Sequence, residues 1–204
     1  MYKNWRDLIK PKRLQVETDS LTDCYGKFVA EPFERGFGTT LGNSLRRILL
    51  SSLQGAAITS VRIKGVQHEF SSVPGVTEDV TDIILNLKGV KVLLHGHEPR
   101  NIRIVKKGAG AVKAGDIITD SNIEILNPEH HIVTCGKEAD LEVDMSVAMG
   151  KGYVPADRNR DNDAPVGTIP VDAIFSPIQK VNFNVSNARV GQITDYDKLT
   201  LELY

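Results

Sequence analysis

Leu41-Gly42-Asn43-Ser44-Leu45-Arg46-Arg47-Ile48-Leu49-Leu50-Ser51-Ser52-Leu53 is the strongest helical stretch in the chain. It is entered through Glu34-Arg35-Gly36-Phe37-Gly38-Thr39-Thr40. At about 100° per residue, Leu41, Leu45, Ile48, Leu49 and Leu53 share one stripe broad enough to pack on a sheet. Gly42 lies inside that stripe. Glycine costs about 1 kcal/mol relative to alanine in a helix interior, so its place here implies a close approach, read as that of another helix. Thr39 or Thr40 is positioned to cap the first amides, and Gly55 to stop the helix in a left-handed conformation. Asn43, Arg46, Arg47 and Leu50 fall on the far side. A leucine set among arginines is either a solvated face with one stray apolar residue or a protein contact.

Upstream, Leu14–Glu17 and Tyr25–Ala30 alternate as short strands, the second expected to stop before Pro32. Downstream the texture is strand and turn from Ala57 to about Pro177. Val61/Ile63, Ile102/Ile104, Ile123/Ile125 and Leu141/Val143/Met145/Val147 all alternate with polar neighbours. One helix interrupts them, with Val80, Ile83, Ile84 and Leu87 on one face, Thr77-Glu78-Asp79 at its start, and Lys88-Gly89 at its close. Residues 152–167 read as a long polar surface loop. Strands return at Val181–Val185 and Leu199–Leu203. The pattern predicts a discontinuous domain, residues 1–55 with 178–204, interrupted by a β-rich insert over 56–177.

The 204 residues carry 25 Lys+Arg against 26 Asp+Glu, a net charge of −1, with 41% hydrophobic residues. These are globular values. They exclude a disordered, collagenous or coiled-coil chain, and they supply no concentrated basic surface of the kind DNA binding by counterion release requires. The first residues have no apolar core of a signal peptide, and no stretch is long and apolar enough to span a bilayer. Cys24 and Cys135 stand far apart without a partner motif, which suggests a reducing, cytoplasmic setting and ordinary buried thiols.

No catalytic set emerges. Gly36-x-Gly38-x-x-x-Gly42 is similar to a phosphate-cradling turn, but its spacing departs from the dinucleotide fingerprint and no lysine completes a P-loop. His95-x-His97 lacks a third metal ligand, and Asp157, Asp161 and Asp163 lack the glycine of a calcium loop. No metal or cofactor is expected. A small enzyme taking a phosphorylated ligand at the Gly36/Gly38 turn is the alternative to a protein-docking role, and a stand-alone dimeric adaptor is a third reading.

The stretch from Glu34 to Ser52 closely resembles the N-terminal assembly domain of the bacterial RNA polymerase alpha subunit. So do Gly65–Phe70, Leu85–Gly89, Gly150–Ala156, Val171–Ile178, Asn184-Val185, Ala188–Val190 and Thr194–Leu199, in order along essentially the whole chain. The resemblance implies an α+β fold, with a dimerisation domain of antiparallel sheet plus helix and a β-rich insert. It also implies a scaffold without catalysis, which forms a homodimer and docks the two large subunits, beta and beta-prime. Phe37, Leu41, Gly42, Leu45, Ile48 and Leu49 match dimer and core positions. Arg47, Leu50 and Lys88 match positions facing beta, and Val171, Asp172, Ser176, Pro177 and Ile178 match the region that meets beta-prime.

In the family a further helix follows the Leu199–Leu203 strand, and then a linker and a small DNA-binding domain. None of these lies within the 204 residues, so no DNA contact is expected from this portion. Without that helix the stripe around Leu41 is expected to be under-covered and dimers to be weak.

Overall fold

The computed structural model describes residues 9–161 and 163–204. Its elements begin with β1 (Gln15–Val16), β2 (Gly26–Phe33), α1 (Phe37–Ser51), β3 (Gln54–Ile63) and α2 (Val80–Lys88). Then come β4 (Val92–Leu94), β5 (Arg100–Lys107), β6 (Gly110–Lys113), β7 (Ile123–Ile125), β8 (His131–Cys135) and β9 (Asp140–Lys151). The last are β10 (Tyr153–Val154), β11 (Thr168–Pro170), β12 (Ala173–Ile174), β13 (Val181–Val190) and β14 (Ile193–Leu203). This is an α+β chain of mostly antiparallel sheets. It divides into two compact units, one joining the segment that ends at Leu53 to Ser176–Tyr204, the other Gln54–Phe175.

In the first unit the sheet order is β1-β2-β14-β13, all antiparallel. The register stacks apolar side chains on one face. Val181, Leu203 and Gly26 form one row; Phe183, Leu201 and Phe28 the next; Val185, Leu199 and Ala30 the third. Helix α1 packs over β13 and β14. Strand β2 runs through Pro32 rather than stopping before it. The residue lies where pairing with β14 slips between Asp197 and Leu199, and beyond the reach of β1, so no ladder bond is asked of the missing N–H.

The helix also begins earlier than its periodicity predicts. Phe37 is its first residue, capped by Gly36 at φ 87° rather than by Thr39 or Thr40. Gly55 lies inside β3 and stops nothing; α1 ends at Ser51, and the amide of the following Ser52 donates to the Ile48 carbonyl.

The second unit is built on a sheet ordered β5-β9-β3-β4-β7, with β11 added to β3, plus the two-stranded pairs β6-β8 and β10-β12. Period-two alternation on β9 buries Leu141, Val143, Met145 and Val147 under α2 and its neighbours, with Ile63, Ile83, Leu87, Ile102, Ile104 and Ile132 completing the core. The opposite face of the same strand carries Glu142, Asp144 and Ser146. There Asp144 pairs with Arg62 at 2.6 Å and Arg103 at 2.9 Å. Helix α2 is capped by the Asp79 carboxylate, which accepts from the Asp82 amide at 2.8 Å. The loop after Gly152 holds β10 and a single turn of 3-10 helix at Ala156–Arg158.

Both cysteines are unpaired. Cys135 is buried, which pushes its thiol pKa up, whereas Cys24 is exposed, against the expectation that both are buried. The reason is local: Cys24 sits at the surface in the tight turn closed by the Thr22–Tyr25 bridge.

Candidate functional site

Helix α1 meets its sheet through glycines. A Cβ on Gly42 would stand 2.5 Å from Phe183 Cδ2, and one on Gly38 2.9 Å from Val185 Cγ1. The close approach at Gly42 is therefore to a strand of the same unit and not to a second helix, because β13 offers a phenylalanine ring where the helix has no side chain. Gly38 and Gly42 are the buried residues of the helix. Everything larger is pushed outward or sideways.

The apolar stripe is consequently only partly covered. Leu41 and Leu49 are half-buried, while Phe37, Leu45 and Ile48 are exposed, Ile48 at 52%. Beneath α1 the sheet face is also incompletely roofed, since Phe28, Phe183 and Val185 stay half-buried. Interspersed hydroxyls make no demand on an outside partner. Thr40, Ser44 and Ser51 donate to the carbonyls of Gly36, Thr40 and Arg47, one turn back, at 3.2, 2.9 and 2.6 Å. On the other flank Arg46 and Arg47 are exposed and form no ion pair with a described residue, and Leu50 is half-buried.

The start of α1 holds a residue that sequence reasoning missed. Asp197, the one buried charged residue among the described residues, reaches from β14 to place Oδ2 2.8 Å from the Gly36 amide and 3.0 Å from the Gly38 amide. A carboxylate from a distant strand thus occupies the donors that a phosphate would use, and it satisfies the positive end of the helix. That closes the phospholigand reading of this turn: the anion is already there, covalently part of the chain. The signal was available in the strand period, because Asp197 falls on the inward side with Leu199 and Leu201, where an acid needs donors.

In the insert, the structure joins two stretches that the sequence kept 84 residues apart. Lys88, the last residue of α2, places Nζ 2.9 Å from Oδ1 and 2.7 Å from Oδ2 of Asp172. The Lys88 ammonium holds the Asp172 carboxyl below the usual carboxylate range against the opposing effect of partial burial. Strand β12 pairs with β10, setting Tyr153 opposite Ile174, and both are exposed.

Val171 lies beside this pair but not on the surface. It is 2% exposed, its amide donates to the Thr59 carbonyl at 2.8 Å, and its carbonyl accepts from Asn159 Nδ2 at 2.7 Å. Val171, in the link between β11 and β12, is therefore packed inside this unit, whereas the adjacent Asp172 is half-buried beside Lys88. Past the unit boundary, Ser176 and Ile178 are half-buried, with Ser176 Oγ donating to the Ile178 carbonyl at 3.0 Å, and Pro177 is exposed.

Among the described residues no three His, Cys, Asp or Glu side chains converge as a metal site would require, and no helix is long and apolar enough to cross a membrane.

The model of the RNA polymerase Rpb3/RpoA insert domain matches residues 61–176, the span that holds α2, the core of the larger sheet and the Lys88–Asp172 pair. The chain belongs to that family. Over all 204 residues it is 76% identical to the DNA-directed RNA polymerase subunit alpha of Geobacter metallireducens and 74% identical to that of Pelobacter propionicus, covering 60% of each relative. Over 198 residues, 97% of the chain, it is 60% identical to the subunit alpha of Moorella thermoacetica and covers 62% of it. The chain thus spans about three-fifths of the length of the curated relatives it matches.

Proposed function

We propose that this chain is the assembly portion of a bacterial RNA polymerase alpha subunit, a non-catalytic scaffold that pairs with its own copy and gathers the beta and beta-prime subunits of a DNA-directed nucleotidyltransferase. The observation that carries this reading is the two-sided helix. Gly38 and Gly42 spend one flank of α1 on its own sheet, which leaves Phe37, Leu45 and Ile48 as an apolar row and Arg46 and Arg47 as exposed cations with no ion pair to a described residue. A row of that kind is suited to a second copy; an arginine flank beside the half-buried Leu50 is suited to a different, larger partner.

Two-fold pairing presents each surface twice, whereas beta and beta-prime are two different partners. The insert supports an economical division of labour. Lys88 is expected to face beta, and Asp172 beta-prime, yet the two form one ion pair and so belong to one surface. We assign that surface to beta-prime, because Asp172 and Ile174 both fall in the Val171–Ile178 stretch. The Arg47 flank of α1 is left for beta. The setting is the cytoplasm, where transcription takes place in bacteria.

In the complete alpha chain, Arg47→Ala should remain dimeric by size-exclusion light scattering while losing beta in a pull-down. Ile48→Glu should shift the chain to monomer, since burying an unpaired carboxylate in an apolar contact is unfavourable. Retention of beta by a folded Arg47→Ala chain, or an unchanged dimer in Ile48→Glu, overturns this function.

A further inference from the structure

Strand β13 is one edge of the four-stranded sheet, and it differs from the other edge. Strand β1 has 2 residues, too short to offer a ladder, whereas β13 has 10. Lys180 and Tyr204 exchange both backbone bonds, the Tyr204 amide donating at 2.9 Å and the Lys180 amide at 3.3 Å. Carried along the register, the same pairing recurs at Asn182–Glu202, Asn184–Thr200 and Ser186–Lys198. Val181, Phe183, Val185 and Asn187 therefore aim N–H and C=O away from β14, and no described residue bonds these groups. An edge that stays in water is commonly guarded by lysine, proline or a bulge. From Val181 to Ala188 the strand holds no charge and no proline, and its bulge lies beyond, between Ala188 and Val190.

Helix α1 decides what can lie along that edge. A Cβ on Gly38 would touch Val185 and Asp197, on β13 and β14, whereas one on Gly42 would meet the Phe183 ring of β13. Passing from Gly38 to Gly42 turns the helix surface by about 40°, away from β14 and toward the edge. Two more such steps reach Arg46 and then Leu50, so this flank overhangs the open edge, while Phe37, Leu41 and Ile48 look the other way, across β14. A second copy does not fit edge to edge. Paired strands stand about 4.8 Å apart, and two helices, each seated over its own β13, need about 8–10 Å. The occupant is a strand with no helix above it. Arg46 and Arg47, exposed and without an ion pair to a described residue, select an acidic side chain on that strand.

We infer that β13 takes an added strand: an extended segment of beta, hydrogen-bonded to the outward backbone of Val181–Asn187 and carrying an acidic residue where it passes Arg46. The inference rests on the assignment of the Arg47 flank to beta above.

The test uses the complete alpha chain, with and without beta. On addition of beta, hydrogen exchange should slow at the amides of Phe183, Val185 and Asn187 and change little at Asn182, Asn184 and Ser186, which β14 already holds. Asn187→Pro removes an outward N–H and leaves the β14 ladder whole. With folding checked by thermal melting, it should capture beta about tenfold more weakly than Asn187→Ala, which keeps that N–H. Arg46→Glu should weaken capture about tenfold as well, and full capture by that variant overturns the acidic contact.

Edge amides that exchange equally fast with beta bound overturn the added strand. So do amides already slow in the complete chain alone, since the chain then covers its own edge. Arg47→Ala separates the two layers. If it loses beta while Asn187→Pro captures as well as Asn187→Ala, beta docks on the helix flank and adds no strand. If none of these variants loses beta, the underlying reading fails with the inference.

Discussion

Removing the Asp197 carboxylate tests how α1 is held on its sheet. One oxygen, Oδ2, serves the amides of both Gly36 and Gly38. Gly38 is buried, so in Asp197→Ala its amide is left without water or partner, at about 1–3 kcal/mol. Gly36 is exposed and its amide rehydrates, leaving a loss of about 0.5–1 kcal/mol. The negative charge at the helix start contributes about 0.3–1 kcal/mol more. Together these place the destabilisation at about 2–3 kcal/mol, once some water entry to the vacated space is allowed for. Asp197→Asn keeps a carbonyl acceptor and loses mainly the charge, at about 1 kcal/mol. Urea unfolding followed by circular dichroism, with hydrogen exchange at Gly38 as a local readout, measures both. An alanine variant within about 0.5 kcal/mol of the parent, or an asparagine variant as damaged as alanine, refutes the remote cap.

Two further perturbations follow from the same contacts. Gly42→Ala gains about 1 kcal/mol of helix propensity but forces Cβ to 2.5 Å from the Phe183 ring, so overpacking should leave a net loss of about 1 kcal/mol in thermal denaturation, relieved by Phe183→Leu. Asp172 has a folded-state pKa below its unfolded one, so its stabilisation is complete above about pH 4 and is lost as pH falls through the lower folded value; the stability gap between the parent and Lys88→Gln should close in acid, as read by urea midpoints at pH 7 and pH 3.

Much of the layout was legible in residue order. The alternation of Leu141, Val143, Met145 and Val147 read directly as the buried side of β9, since a strand with one wet face must alternate. The apolar spacing and Asp79 placed α2 almost to the residue. Boundaries set by glycine were harder. Gly36 at positive φ starts α1 ahead of its first leucine, because a helix can begin wherever its amides find acceptors, and those acceptors lay 161 and 159 residues away on Asp197. Pro32 was read as a stop when it only marks a position whose N–H nobody needs.

The candidate surfaces divide in the same way. The helical stripe of Leu41, Leu45, Ile48 and Leu49 was plain from periodicity, but periodicity could not say which part of it the chain keeps for itself. Only the packed structure shows Gly38 and Gly42 against the sheet, with Phe37, Leu45 and Ile48 left outward. Likewise the resemblance placed Val171 among contact residues, and the fold turned it inward while bringing Asp172 to Lys88.

By itself, then, the amino-acid sequence determined the kinds of element, the faces on which they are apolar, and the family to which the chain belongs, because these depend on local period and residue type. Tertiary structure alone decided which apolar face is spent inside the molecule and which charges cancel, because both depend on pairs of residues that meet only after long loops have closed.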